Sequence, residues 1–379
     1  MEFPKNCNII LINLDGLRRD KVEKCSELNS LKKESIFFSK MNTVAPYTFA
    51  SLHSVFSSLY PSKHGVNSYY NIFKFRKTEI TTLAESLQQN GYFTCCDVIS
   101  KSAAPEAGFD EYNIFDESKI NFEDRHRKLI HSLSKKEKFF LFLHYTETHK
   151  HLVREIIEKY GQDSNDENFC KDIEKNDERY SSFLPSCSNY VSTILDEINN
   201  TGIKEKTIVI FFSDHGTSIG EKKGEKFYGV FTYDYTLNVF CMMFVPGIQS
   251  KIIEKQCSTM DIYPTILTLT GTTQSTIQSL EGKNLFDLET ENNEREIFVE
   301  TGGLYGPWPS PSKHNVFCIK RDNLKLIFNA TPSTWEFYNL KDDPKELKNL
   351  YDENSSQIKF FKERLQYYLK KNDIDISLN

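Results

Sequence analysis

The chain has 379 residues, 39% of them hydrophobic, with 47 Lys and Arg against 53 Asp and Glu, a formal net charge of -6 and a pI near 5.9. That length supports one large domain with a smaller one appended, or two ordinary domains, and leaves ample apolar material for a core. Charges of both signs are interspersed throughout, so no basic face for nucleic acid is implied, and no window reaches the ~20 apolar residues of a membrane-spanning helix.

The N-terminus meets a strand-like run at once, without the charged, apolar and small-residue zones of a secretory signal. Nine cysteines, an odd and scattered set with no CxxC pair and no His-rich zinc spacing, read as reduced thiols. A soluble cytoplasmic protein with no nucleic-acid partner and no membrane span is therefore expected.

Asn8 to Leu14, NIILINL, is a continuous apolar run of the kind found in strands buried on both faces of a parallel sheet. It ends in Asp15-Gly16. A carboxylate at the C-terminal end of a central strand sits where open α/β sheets bind ligands, although an Asp-Gly turn gives the same pattern. Arg18, Arg19 and Asp20 read as a salt-bridged shoulder. An amphipathic helix is predicted around Glu23 to Lys33, and a strand over Ser35 to Lys40.

The stretch Thr43 to Gly65 follows, TVAPYTFASLHSVFSSLYPSKHG. Thr48 comes directly after Pro46-Tyr47 and opens an apolar run of helical spacing, Phe49, Leu52, Val55, Phe56 and Leu59. A hydroxyl there meets the free N–H groups and positive dipole end of a helix, which favour an oxyanion or an incoming phosphate or sulfate. It is a candidate nucleophile, and equally an ordinary Thr N-cap.

Thr81 to Asn90 is predicted as a helix with Gly91 as its stop, and Tyr92 to Ile99 as the next strand. This β, α, β alternation argues for a doubly wound α/β layer. Lys138 to Tyr145, KFFLFLHY, is a further buried strand, with His144, Glu147, His149 and His151 at or beyond its end. Carboxylates and imidazoles at strand ends are what a metal site assembled across neighbouring strands requires, while His144 alone reads more simply as a core residue.

Residues 152 to 188 are charged and aperiodic and read as an insertion or cover. A helix is predicted over Ser186 to Asn199. Thr207 to Phe212, TIVIFF, is the strongest buried strand and closes on Ser213-Asp214-His215-Gly216. Two ionisable groups at a buried strand tip are costly without a partner, so Asp214 and His215 are candidate metal ligands. A strand over Asn238 to Val245 and a helix over Thr259 to Thr270 follow. Strand-like runs at Ile297 to Glu300, Val316 to Ile319 and Leu324 to Phe328, without helices between them, read as a small antiparallel sheet before a last helix from about Ser355 to Lys371. The expected division is a catalytic domain over 1–290 and a C-terminal α+β subdomain over 291–379.

Taken together and in order, the pieces NIILINLDGLRRD, APYTFASLHSVFSSLYPSKHGV, HYTETH, IVIFFSDHGTSIGE and MDIYPTILTLTG carry a resemblance along nearly the whole chain. It resembles the sulfatase branch of the alkaline phosphatase superfamily. That resemblance implies a doubly wound mixed sheet with helices on both faces. It makes Asp15, Thr48, Asp214 and His215 the ligand set of one divalent cation, for which Mn, Zn, Ca and Mg are all compatible with oxygen ligands and one imidazole.

Thr48 falls where sulfatases place the Cys or Ser that is oxidised to formylglycine, an oxidation that Thr cannot undergo. Thr in this slot is instead similar to the phosphodiesterases, phosphonate hydrolases and phosphoglycerol- or phosphoethanolamine-transferring members, in which the threonine attacks phosphorus. Three departures stand out. Leu52 replaces an arginine. Ser100-Lys101-Ser102 keeps only Lys101 of a Lys-and-His segment. Tyr228, with Lys226 and Lys223 nearby, stands where His or Lys is expected. His149 is implied as general acid, Lys101 as a catalytic remnant, and Glu147, Lys226, Tyr228 and His314 as substrate contacts; Glu147, His149 and His314 are also the set available to a second metal.

The expected activity is metal-dependent hydrolysis or transfer of a phosphate-type ester, from a small molecule or a glycan-linked anionic substrate, through a phospho-Thr48 intermediate. The rival expectations are a sulfatase working without formylglycine and an inactive sulfatase-like binding protein. The oligomeric state is not readable from the residues.

Overall fold

The computed structural model describes residues 7–148, 153–161, 167–272, 276–290, 294–302, 315–376 and 378. Nine strands form one large mixed sheet: β1 (Asn8–Leu14), β2 (Ile36–Asn42), β3 (Phe93–Val98), β4 (Glu111–Ile114), β5 (Phe139–Tyr145), β6 (Thr207–Phe212), β7 (Asn238–Phe244), β8 (Lys251–Ile253) and β9 (Cys257–Ser258). Their order is β4-β3-β5-β1-β6-β7-β2-β8, with β9 pairing β2. β1 lies between β5 and β6 and is parallel to both, whereas β7 runs antiparallel to β6 and to β2.

Every residue of β1, β5 and β6 is buried, because helices cover both faces of the sheet. The two-residue period divides β1 between them: Ile10, Ile12 and Leu14 join one apolar core, and Ile9 and Leu11 join the other. The first core is closed by the helices Phe122–Leu133 and Leu184–Asn200, through Ile130, Tyr190, Val191 and Ile194. The second is closed by the helices Thr48–Ser57, Leu83–Gln89 and Ile262–Thr270. Thr82 caps Leu83–Gln89 in a reciprocal box with Glu85, which fixes that helix start directly before its first buried residues, Leu83 and Ala84.

The charged segment after residue 152 carries the helices Arg154–Tyr160, Glu167–Lys171 and Ile173–Ser181. Its Ile156, Tyr160, Phe169, Tyr180 and Phe183 are buried in the first core. The apolar residues are spaced across several short helices, so no single period shows in the sequence, and the charges face outward. The short strands β4, β8 and β9 likewise had no sequence signature, since their two to four residues depend on a neighbouring strand rather than on their own pattern.

A second sheet is built from β10 (Glu296–Thr301), β11 (Val316–Arg321), β12 (Leu324–Asn329) and β13 (Thr334–Asn339), antiparallel in that order. The helix Ser356–Lys371 packs Ile358, Phe361, Leu365, Tyr368 and Leu369 against Phe298, Phe317, Ile319 and Leu326 of this sheet. The sequence showed three of these strands. β13, TWEFYN, escaped because only Phe337 and Tyr338 are buried.

The second sheet is tied to the first unit by a buried ionic cluster. Lys320 Nζ lies 2.8 and 2.9 Å from the two Asp234 oxygens, and Lys325 Nζ lies 3.0 Å from Asp234 and 2.7 Å from Glu346. Burial opposes charge on Asp234, but the two lysines hold its carboxyl well below the usual range. Burial likewise opposes the Lys325 ammonium, and Asp234 and Glu346 outweigh it. Lys325 has no exposed side-chain surface. Removing one member of such a cluster strands the others in a low dielectric. Lys325→Ala is expected to lower unfolding free energy by about 3 to 5 kcal/mol, read from urea denaturation. Lys40→Ala, which breaks the exposed 3.4 Å pair with Asp322, should change it by less than about 1 kcal/mol.

Candidate active site

Three parallel strands deliver the site to one edge. The register pairs Asn13 of β1 with His144 of β5 and with Phe212 of β6, so the residues leaving β1 and β6 emerge side by side. Asp15 is the first residue after β1, and its N–H donates to the Tyr145 carbonyl at 3.0 Å. Gly16 then turns with φ +68, and a Cβ there would stand 2.9 Å from Thr217 Oγ1. Only glycine makes this turn without strain. Asp214 is anchored by its N–H to Asn13 Oδ1 at 3.0 Å.

Asp15, Asp214 and His215 are fully buried, and one ligand atom from each falls within 4.8 Å of the others. Asp214 Oδ1 accepts from the N–H groups of Gly16 at 3.3 Å and His215 at 3.0 Å. Its Oδ2 has no hydrogen-bond partner among the described residues. Burial pushes the Asp214 carboxyl up, and the neighbouring Asp15 charge pushes it further. His215 Nδ1 donates to the Gly216 carbonyl at 2.7 Å, so the neutral ring presents an unprotonated Nε2 to the centre of the cluster. Two carboxylates and an imidazole lone pair converging in a buried space, one carboxylate oxygen lacking any donor, fit a divalent cation.

Thr48 joins them. Tyr47, with φ -158 and ψ 153, is the N-cap of the helix Thr48–Ser57, and Thr48 is its first helical residue. The hydroxyl therefore does not serve as a cap. Thr48 Oγ1 lies 3.2 Å from Asp15 Oδ2 and 3.1 Å from His215 Nε2. Its single proton serves one acceptor at a time, and the other then faces the oxygen as a second lone pair. Ser51, one turn on, donates to the Asp214 carbonyl at 2.8 Å and so binds this helix start to the end of β6.

Other positions divide. Tyr228 is brought in, its ring centroid 4.3 Å from that of His215. Lys226 is half-buried on the same loop. Lys101 is not at the site: its side chain is 71% exposed and pairs with Glu106 at 3.1 Å. The turn after β3 leads it to the surface, away from the buried cluster of Asp15, Asp214 and His215. Glu147 is half-buried, outside the three-residue cluster, and its charge acts on the Tyr145 hydroxyl. His149, His151 and His314 lie outside the described residues, and with them two of the three residues of the second-metal set. Leu52 sits in the second apolar core. Arg18 is the shoulder anticipated, donating to Asp20 at 2.9 Å and to Thr217 O at 2.9 Å, and also pairing with Glu221.

Three supporting residues were missed. His144 donates from Nε2 to Asp15 Oδ2 at 2.7 Å, although its sequence context is that of a core residue. Tyr180 donates to the Gly16 carbonyl at 2.9 Å and accepts from Arg18 N at 2.8 Å, fixing the turn after Asp15. Glu225 accepts from the N–H groups of Val230 and Phe231 at 2.8 and 2.9 Å and from Tyr235 Oη at 2.6 Å, holding the loop that carries Tyr228. The signal for Glu225 was weak, a carboxylate within a Gly-rich stretch.

Burial pushes the Glu225 carboxyl up to about 7 despite these donors. A carboxyl raised on folding contributes stability below its unfolded value of about 4.5 that is lost as pH rises through about 7. The stability of wild type relative to Glu225→Gln should therefore fall between about pH 4.5 and 7 and level off above, in paired denaturation curves. His144→Leu should weaken divalent-cation affinity about 10- to 100-fold, measured by calorimetric titration of metal into the chain.

Comparisons with known proteins bear on the family and the fold. The family model described as Sulfatase matches residues 8–272, and that described as N-sulphoglucosamine sulphohydrolase, C-terminal, matches residues 221–373. Arylsulfatase K of Homo sapiens is 28% identical over 166 residues, which cover 41% of this chain and 30% of that protein. The uncharacterized sulfatase YidJ of Escherichia coli K12 is 27% identical over 177 residues, covering 44% of this chain and 33% of that protein. The alignment thus spans about a third of each relative's length. Among solved structures, that of BT4656 in complex with its substrate D-glucosamine-2-N,6-O-disulfate superposes with a TM-score of 0.79 at 15% identity, covering 98% of this chain and 99% of that one. The phosphonate monoester hydrolase of Agrobacterium radiobacter gives 0.77 at 15% identity, covering 97% and 96%. At these identities the structural likeness is one of fold. With the Sulfatase match spanning residues 8–272 of 379, the chain belongs to the sulfatase family of the alkaline phosphatase superfamily.

Proposed function

We propose that the chain hydrolyses a phosphate-type ester, or transfers its phosphoryl group, through Thr48. The observation that carries this reading is the Thr48 hydroxyl held 3.2 Å from Asp15 and 3.1 Å from His215 at a helix start, in a residue that cannot become formylglycine. A divalent cation held by Asp15, Asp214 and His215 would supply Lewis-acid polarisation and a lowered pKa for the hydroxyl. Thr48 Oγ1, its proton passing to Asp15 Oδ2 3.2 Å away, attacks phosphorus, forming an Oγ1–P bond as the bond to the leaving alkoxide breaks. The helix N-terminus faces the negative charge that develops on the nonbridging oxygens. His144 keeps Asp15 in place, and the His215 tautomer keeps Nε2 free of a proton. His149 is the group assigned to protonate the departing alkoxide. Water or an acceptor alcohol then cleaves the Oγ1–P bond. The nine free cysteines support a reducing, cytoplasmic setting.

The sulfatase relatives favour a second reading, sulfate-ester hydrolysis without formylglycine. Both are tested with the full chain on p-nitrophenyl phosphonate esters, phosphate mono- and diesters and sulfate, with bound metal measured by elemental analysis. Thr48→Ala should lose at least about a thousandfold in kcat/KM on the phosphorus esters, and phosphate should be trappable on Thr48 in wild type by mass spectrometry. Full activity in Thr48→Ala removes the nucleophile assignment, and turnover confined to sulfate selects the second reading.

A further inference from the structure

Between Glu34 and Glu79 the sequence carries no carboxylate side chain, although the whole chain has 53 Asp and Glu and a net charge of -6. That stretch ends in a turn, Ile72-Phe73-Lys74-Phe75-Arg76-Lys77, that mixes apolar and basic residues. Phe75 anchors it, with its ring centroid 4.9 Å from His53 and 6.3 Å from His64. Arg76 N donates to the His64 carbonyl at 3.1 Å and holds the turn against the short helix Pro61–His64. Phe73, two residues before the anchor, is left 82% exposed, with Lys74, Arg76 and Lys77 exposed beside it in the chain.

The same turn borders a groove of about 620 Å³, lined by Lys63 and Arg76 and, from the helix Ser356–Lys371, by Arg364, Tyr367 and Lys371. Lys63 Nζ donates to the Lys371 carbonyl at 3.1 Å and joins the two sides. Glu79 also lines the groove, Glu281 pairs with Lys371 at 3.1 Å, and Glu296 pairs with Arg364 at 2.8 Å. With Lys74 and Lys77, six cations stand against these three carboxylates. Tyr367 is 57% exposed, and the Arg364 guanidinium lies 5.1 Å from its ring centroid. Exposed aromatic rings among Lys and Arg suit a lipid–water boundary, where the rings enter the acyl edge and the cations meet anionic headgroups.

We propose that this face docks the chain on an anionic lipid surface, with Phe73 entering the boundary and the cations of the turn and groove on the headgroups. Charge alone would suit a soluble polyanion equally well. Phe73 decides between them, because an apolar ring held 82% in water gains most from a partner with an apolar interior. The loop also starts at the ester site: the Tyr69 ring centroid lies 4.9 Å from Tyr47 and 5.4 Å from Phe49, the residues that flank Thr48. Phe73 follows Tyr69 within the reach of about 14 Å of extended chain, so docking sets the site close to the surface. The docking is peripheral, and it does not depend on which ester the site takes.

The test is co-sedimentation of the full chain with vesicles of phosphatidylcholine alone, or with about 30% phosphatidylserine, at low salt. Binding to the anionic vesicles should be at least about tenfold stronger and should fall severalfold when salt is raised to about 0.5 M. Phe73→Ser should weaken it about tenfold, and Lys74→Gln and Lys77→Gln about fivefold each. Ile252→Ser, which removes another exposed apolar side chain from β8, should leave it unchanged. All four positions are exposed, and each variant is checked for the wild-type thermal transition. Dextran sulfate is titrated in parallel as a soluble polyanion. Equal or absent binding to the two vesicles, wild-type affinity in folded Phe73→Ser, or a matching loss in Ile252→Ser overturns the proposal. Binding of dextran sulfate without binding of vesicles assigns the face to a soluble polyanion and overturns it too.

Discussion

Two buried carboxylates held side by side are the constraint on which the rest of this structure depends. Asp15 and Asp214 arrive on adjacent parallel strands, β1 and β6, and neither has solvent to screen it. Burial pushes the Asp214 carboxyl up, and the neighbouring Asp15 charge adds to that push. A sheet could avoid this by ending one strand a residue sooner. It does not, and His215 and Thr48 complete a ring of lone pairs that fits a divalent cation.

The surroundings are consistent with that strain being held by the scaffold. Gly16 permits the turn, Tyr180 closes it through the Gly16 carbonyl, and Arg18 ties the same turn to Thr217 on the other strand's loop. Ser51 links the Thr48 helix to Asp214, while Asn13 reaches across from β1 to the Asp214 backbone. Each of these bonds joins segments that belong to different strands or helices. The site is thus placed on rigid elements, with its loop residues fixed by backbone hydrogen bonds rather than by their own packing.

The fold was largely legible because its central strands are buried on both faces and announce themselves as unbroken apolar runs, as NIILINL and TIVIFF do. The convergence of two carboxylates and an imidazole was legible because Asp15 and Asp214-His215 follow such runs directly. Thr48 remained ambiguous in sequence, since a helix cap and a nucleophile share one pattern; the Tyr47 backbone removes the cap, and the hydroxyl lies against Asp15 instead. Lys101 misled because chain position after a strand does not say which way a turn leaves the rim. His144, Tyr180 and Glu225 act through long-range hydrogen bonds, which leave no local periodicity to find. The helices after residue 152 were hidden by charge because their buried residues are shared among short pieces.

The position of β1 has a consequence for how the site comes into being. β1 is made of residues 8–14, yet its neighbours are made of residues 139–145 and 207–212, and the side chain of Asn8 bonds that of Thr207 across a separation of 199 residues. β1 thus has no sheet partner until residues 139–145 are available, and is not flanked on both sides until residues 207–212 are. Such non-local pairing closes long loops before any contact rewards them, which slows folding and leaves an apolar strand waiting. Fragments that stop short of β6 would lack Asp214 and His215 altogether, so cation affinity would report completed assembly of the sheet rather than any local event.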